Sequence, residues 1–185
     1  MTGTDAATAA IRLEPFGEAD FDRLIGWIPD ADFLLQWGGP GFTYPLDCAQ
    51  LTGHLEAART DPPALVPCRA VETASGEVVG HIELGNVLRD HRCAVLCRVL
   101  IGSPRARGRG LGAAMVRQVL HVAFEELSLH RVSLNVFTHN RSAIACYKSV
   151  GFRVEGTVRE ACRVGEQYWS GHVMGILENE WRAQE

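Results

Sequence analysis

An α+β fold with a largely antiparallel sheet is predicted by three features of this 185-residue sequence. Runs of apolar–polar alternation recur before residue 101 and after residue 131, the period of half-buried strands. Two pairs of these runs are joined by short turn signals, at 74–77 and 164–166, as hairpins are. Between the two groups one long stretch repeats apolar residues at 111, 115, 119, 123 and 127, a helix with a wide buried face.

Taken in order, IRLEPF (11–16) alternates as a strand. Asp20 to Ile28 carries a helical stripe of Phe21, Leu24, Ile25 and Ile28 that Pro29 ends. A short helix over Asp32–Leu35 leads into WGGPGFTYP, too rich in Gly and Pro to be regular. Pro45–Arg59 reads as another helix, broken by DPPALVP at 61–67. CRAVETASGEVVGHIEL (68–84) is a hairpin, and Arg92–Ile101 is apolar on both faces except for its arginines, as a central strand is. After the long helix over Gly110–Leu127, Val132, Leu134 and Val136 alternate in a further strand. Asn140–Val150 is a helix with Gly151 as its C-terminal cap, and 152–163 with 167–177 form the last hairpin. Neither a repeat nor a low-complexity linker interrupts residues 11–185, which read as a single domain, and 1–10 read as a short disordered lead.

Composition narrows the function classes. A formal net charge of -4 and a pI near 6.0 argue against general nucleic-acid binding, so any basic patch is local. No apolar run approaches the roughly 20 residues that span a bilayer, and MTGTDAATAA has neither basic nor apolar signal-peptide regions. A cytoplasmic protein that does not engage membranes is expected. The six cysteines are dispersed without a C-x-x-C pair, which suggests reduced, mostly buried thiols. His91, Cys93 and Cys97 lie close together, but their spacing does not match a zinc site, and no metal is expected.

Against that balance, RARGRGLGA (105–113) places three arginines and three glycines between a buried strand and the start of the long helix. A helix N-terminus offers free N–H groups and the positive end of its dipole. Glycines let that backbone approach an anion closely, and arginines add charge-assisted hydrogen bonds. This pattern predicts a pyrophosphate site on main-chain amides. It is neither a P-loop nor a dinucleotide fingerprint, since Gly108, Gly110 and Gly112 make G-x-G-x-G with no Lys-Ser/Thr after it. The plainer alternative is a basic turn with exposed arginines.

Arg107-Gly108-Arg109-Gly110-Leu111-Gly112 resembles the R/Q-x-x-G-x-G/A loop of the GNAT superfamily of acetyl-CoA-dependent N-acetyltransferases. VLIGSP precedes it at the family spacing. HRVSLNVFTHNRSAIACYKSVGF resembles the family's later strand and helix through Asn140, Ala143, Tyr147, Gly151 and Phe152. The tail YWSGHVMGILENEW and the segment WGGPGFTYPL are similar to the branch containing ribosomal-protein N-terminal acetyltransferases. The resemblance covers about residues 11–182. It implies a GNAT-like three-layer domain, with a central, mostly antiparallel, splayed sheet flanked by helices.

It also implies site residues. Arg107, Gly108, Arg109, Gly110, Leu111, Gly112 and Ala113 would hold the CoA pyrophosphate, chiefly by main-chain N–H groups. The backbone of Leu100 and Ile101 would pair with the pantetheine arm like an added strand. Asn140 would hydrogen-bond that arm, and Tyr147 would protonate the departing thiolate. Gly102 departs from the family, which usually has Val there near a β-bulge.

Acetyl transfer to an amine needs a neutral nucleophile. An alkyl amine near pKa 10.4 needs about 4.6 kcal/mol to lose its proton at pH 7, and a peptide α-amine near pKa 8 far less. His81 and Glu83 lie two apart on one strand and share a face, so Glu83 is the candidate base; the plainer reading is a solvated polar pair. Glu14, Asp32 and Glu72 are weaker candidates. Trp37, Phe42 and Tyr44 could wall an acceptor pocket or form local core, and Tyr168 and Trp169 raise the same choice. Arg89–Arg92 reads as a solvated turn.

The expected function is transfer of an acetyl group from acetyl-CoA to a primary amine, on a peptide or protein N-terminus or a small molecule. The alternative is a non-catalytic acyl-CoA-binding module, and a homodimer is the default assembly.

Overall fold

The computed structural model describes residues 10–184, so nearly all of the expected disordered lead at 1–10 lies outside the described residues. Four strands, β1 (Ile11–Pro15), β2 (Leu65–Glu72), β3 (Val78–Leu88) and β4 (Cys93–Ile101), build one antiparallel half of a sheet. The other half contains β5 (Arg131–Phe137), β6 (Arg153–Val164) and β7 (Gln167–Leu177). The order across the sheet is β1-β2-β3-β4-β5-β7-β6.

The two halves join through the sheet's one parallel pairing. Cys93, Ala94 and Val95 pair with Arg131, Val132 and Ser133, and the ladder then stops. Beyond it, β4 and β5 diverge and leave backbone edges that face each other across a cleft. This is the splay that the resemblance implied.

A bulge sits on β4 within the same cleft. His81 pairs with Leu100 while Glu83 pairs with Cys97, so two steps on β3 match three on β4. Arg98 absorbs the extra residue at φ 52, in the left-handed region. The insertion reverses the alternation of the strand. Ala94 and Leu96 lie in one core, whereas Leu100 lies in the core on the opposite face. A strand apolar on both faces in sequence therefore serves two cores in succession.

Helices cover both faces. On one lie α1 (Phe21–Gly26), α2 (Ala31–Gly38) and α3 (Cys48–Leu55), which bury Phe21, Leu24, Leu34, Trp37 and Leu51 around Leu100. On the other lie α4 (Leu111–His121), α5 (Arg141–Ser149) and α6 (Glu178–Arg182). Met115, Val116, Val119 and Leu120 of α4 are buried against the sheet, and Tyr147 and Trp181 join that core.

Helix boundaries follow the caps. Asp30 accepts from Phe33 N at 2.7 Å and Asp47 from Gln50 N at 2.9 Å. The Asp47 cap moves the start of α3 to Cys48 from the expected Pro45. The helix expected over Asp20–Ile28 ends early at Gly26, where the Trp27 and Ile28 N–H groups bond three residues back to Leu24 O and Ile25 O. It is preceded by Asp20, which does not cap it. Its carboxylate pairs with Arg23 at 2.7 Å and Arg69 at 3.2 Å.

The thiols differ from expectation. Cys68 is buried, Cys48 is exposed, and the other four are intermediate. Gly102, the departure from the family pattern, has a local cause. A Cβ on it would land inside the Trp27 indole.

Candidate active site

The splay opens a cavity of about 750 Å³ that runs from the glycine loop to the bulge. Gly108 and Gly110 adopt φ 72 and 78, which side-chain-bearing residues rarely reach, and Gly110 is the N-cap of α4. No side chain caps this helix start. Its first N–H groups and its dipole are thus left for an anion. Gly108, Gly110, Leu111, Gly112 and Ala113 all line the cavity. These residues fit a pyrophosphate on backbone amides.

Two of the three arginines are tied to other groups of the protein. Arg107 donates through Nε to Ile101 O at 3.0 Å and through Nη2 to Gly102 O at 3.3 Å, tying the loop to the end of β4. Arg109 pairs with Glu72 at 2.6 Å, and neither it nor Arg105 lines the cavity. The Ser75 hydroxyl and then the Arg109 guanidinium hold the Glu72 carboxyl below the usual carboxylate range.

The remaining cavity wall comes from β4, β5 and α5. Leu100 and Ile101 line it beside the unpaired edge of β4. Asn140 caps α5 by accepting from Ala143 N at 3.2 Å through Oδ1, which leaves its amide NH2 for the cavity it lines. Tyr147, two turns further along α5, is buried and lines the same cavity. Burial, with Cys146 and Cys97 nearby, pushes its phenol above the ordinary value. Among the described residues its hydroxyl has no hydrogen-bond partner.

Glu83 lies behind the bulge, not on the cavity wall. It and His81 are each 1% exposed, so they are a buried pair and not a solvated one. The carboxylate accepts from His81 Nε2 at 2.8 Å, His54 Nε2 at 2.9 Å and Arg98 Nη1 at 2.9 Å. Burial alone would raise its pKa. The hydrogen bonds from His54 and His81, with the positive charge of Arg98, outweigh that and hold it far below the carboxylate range. Arg98 in turn lies over the Phe42 ring at 5.1 Å and lines the cavity. His54 and Arg98 are absent from the expected site. The signal for Arg98 was a charged residue inside an otherwise apolar central strand. His54 gave none, since a histidine on a surface helix is ordinary.

A second cavity of about 330 Å³ meets the first at the splay, sharing Trp37, Leu96, Cys97, Arg98 and Asn135. Trp37 stacks on Phe42 at 6.0 Å, so it is local core and cavity wall together. Tyr44 is exposed, donates to Pro29 O at 3.1 Å and lines neither cavity. Trp169 packs on Phe137 and His139, and Tyr168 is exposed. Glu14 pairs with Arg12 and Arg69, Asp32 is exposed, and the turn at 89–92 is exposed throughout. No helix among the described residues is long and apolar enough to cross a membrane.

Residues 22–152 match the Acetyltransferase (GNAT) family. The chain is 34% identical over 97 residues to the L-amino acid N-acetyltransferase AaaT of Escherichia coli, spanning 52% of this chain and 60% of that protein. It is 30% identical over 116 residues to the spermidine N(1)-acetyltransferase of the same organism, spanning 63% and 61%. These matches thus extend over about three fifths of each relative. The fold is similar to the crystal structure of spermidine N-acetyltransferase from Vibrio cholerae in complex with CoA and spermine. That likeness has a TM-score of 0.80 at 20% identity, over 94% of this chain and 99% of the other.

Proposed function

This chain belongs to the acetyltransferase (GNAT) family, and from that premise we propose that it transfers an acetyl group from acetyl-CoA to a primary amine by direct attack. The observation that carries the reading is the uncapped, glycine-lined start of α4 opening on a cavity that reaches the bulge between the splayed strands. The two curated relatives act, by name, on an amino acid and on a polyamine, both amines.

Acetyl-CoA supplies the activated acyl group. On this reading, main-chain N–H groups from Arg107 to Ala113 bind the pyrophosphate, and the side chain of Arg109 contributes little. The edge of β4 at Leu100 and Ile101 lies along the pantetheine arm, with Ile101 O already held by Arg107 Nε, and the Asn140 amide donates to the arm. Tyr147 faces the sulfur. Its raised pKa puts the phenol well above a thiol near 8.5, so full proton transfer would be uphill. Tyr147 therefore stabilises the developing thiolate by donating a hydrogen bond, and solvent completes the protonation.

Glu83, expected as the base, has a different part here. A carboxylate fixed by three donors and held ionised accepts a proton poorly. It positions Arg98 and His54, and the incoming amine loses its proton to water.

The absence of an evident base among the cavity residues also favours a second reading, a non-catalytic acyl-CoA-binding module. One experiment separates the two. Thiol release from acetyl-CoA is followed with a panel of amines, alongside calorimetric titration of CoA into wild type and Gly110→Trp. The transferase reading expects amine-dependent thiol release, with CoA affinity at least about tenfold weaker in the variant. CoA binding without turnover on any amine would establish the binding module. Equal CoA affinity in both proteins would remove the loop as the site.

A further inference from the structure

Resting on the transferase reading, we infer that the acceptor is an α-amino-acid unit with an apolar side chain, bound to Arg98 through the oxygen of its carboxylate or peptide carbonyl, and not a polyamine. The shared chemistry is an α-amine, an oxygen acceptor on the adjoining carbon and an apolar group. A free amino acid and the first residue of a peptide both present it.

Three observations converge. The first is the smaller cavity, which meets the CoA cavity at the bulge, where the acyl group is presented. Its further wall is apolar, from Leu35, Val95, Phe137, Val158 and Ala161. Among the described residues lining it, Arg98 alone is charged.

The second is the state of that arginine. Nη1 is committed to Glu83, the ring of Phe42 lies against the guanidinium, and Nε has no hydrogen-bond partner. The side chain is 17% exposed. Charge in this position attracts an oxygen anion and repels a second ammonium. Glu83, its ion-pair partner, is shared with His54 and His81 and lies off the cavity wall, and among the described residues no carboxylate lines either cavity. A polyamine, with several ammonium groups, would meet one cation and no free carboxylate.

The third is the missing base. With Glu83 held ionised, the site favours an amine that deprotonates easily in water. A peptide α-amine near pKa 8 is about 10% neutral at pH 7, against about 0.04% for an alkyl amine. This observation therefore favours the peptide form over a free amino acid, whose ammonium beside a carboxylate is less acidic.

The test compares kcat/KM at saturating acetyl-CoA for leucine, the peptide Leu-Gly-Gly, isoamylamine (leucine without its carboxyl group) and spermidine. We expect leucine or the peptide to exceed both isoamylamine and spermidine by at least about tenfold, since a site built for a polar group rejects the analogue lacking it. Whichever of the two leads identifies the source. Arg98→Gln should raise KM for the leading substrate by about tenfold or more, and change isoamylamine by less than about threefold. Because that variant disturbs a buried cluster, Ala161→Glu at an exposed wall position gives an independent arm. It should raise spermidine relative to leucine by at least about fivefold. Preference for spermidine in the wild type, parity of isoamylamine with leucine, or an equal loss on all amines in Arg98→Gln would overturn the inference while leaving the transferase reading intact. No turnover on any amine would remove both.

Discussion

The two sides of the splay are made differently. The side proposed to bind the donor, from Leu100 to Ala113 with Asn140 and Tyr147, is mostly backbone: a strand edge, a glycine turn and a helix start. The side proposed to receive the acceptor is mostly side chains, Trp37, Phe42, His54, Glu83 and Arg98, drawn from α2, a loop, α3, β3 and β4. A site of main-chain groups depends on short local sequence and tolerates loss of its charged side chains. A site of interlocked side chains depends on every partner. Substitutions should therefore act on stability on the acceptor side and on the ligand on the donor side.

The largest effect should come from Glu83→Ala. It leaves Arg98 and His81 buried without their anion, a loss that costs about 3–5 kcal/mol when one partner of a buried pair is removed. Denaturant unfolding measures it, and a change below about 1 kcal/mol would show that the cluster is hydrated and loose. Acid titration sharpens the point. The Glu83 carboxyl has its pKa depressed on folding, so it contributes stability that is complete above the unfolded value near 4.3. That contribution is lost as the pH falls toward the much lower folded value. Glu83→Gln should flatten this part of the acid limb.

On the donor side, Tyr147→Phe should lower kcat by about 10- to 100-fold, with CoA affinity unchanged within about threefold. The phenyl ring keeps its contact with Phe152, so stability should hardly move. Presteady-state acyl transfer is the decisive measurement, and an unchanged rate of that step would exclude Tyr147 from the chemistry.

These contrasts explain what could be read from the sequence. The order of strands and helices, the hairpins and the loop before α4 were legible because each rests on residues near one another in the chain. The sharing of a face by His81 and Glu83 followed from strand periodicity alone. Their burial did not, because it depends on Phe16 and Trp37 packing over His81 from distant segments. The same distance hid His54. The bulge was implied by resemblance, but its place at Arg98 required the register of β3 against β4.

Gly102 lies where the two sides meet. Gly102→Val restores the family's usual residue but drives a side chain into Trp27. Trp27 is only partly buried and can yield, so the cost should be about 1–2 kcal/mol. Pairing it with Trp27→Ala should recover most of that loss. Additivity of the two changes would show that the contact is not what excludes a side chain at 102.

The smallest effect is expected at Arg109, and it tests the comparison most directly. The three arginines were the sequence's most conspicuous sign of an anion site, yet Arg109 spends its guanidinium on Glu72 at the protein surface. The arginine side of the pair is half-exposed, 52%. The largely buried Glu72 carboxylate keeps the Ser75 hydroxyl as a donor when the arginine is lost, so the pair contributes little. Arg109→Ala should therefore lower stability by less than about 1 kcal/mol and weaken CoA by less than about threefold, with little change in its salt dependence. A loss above tenfold that grows as salt is removed would mean that the guanidinium leaves Glu72 for the phosphates. The donor site would then depend on side-chain charge as well, and the division between backbone and side-chain construction would fail on the side where it is drawn most sharply.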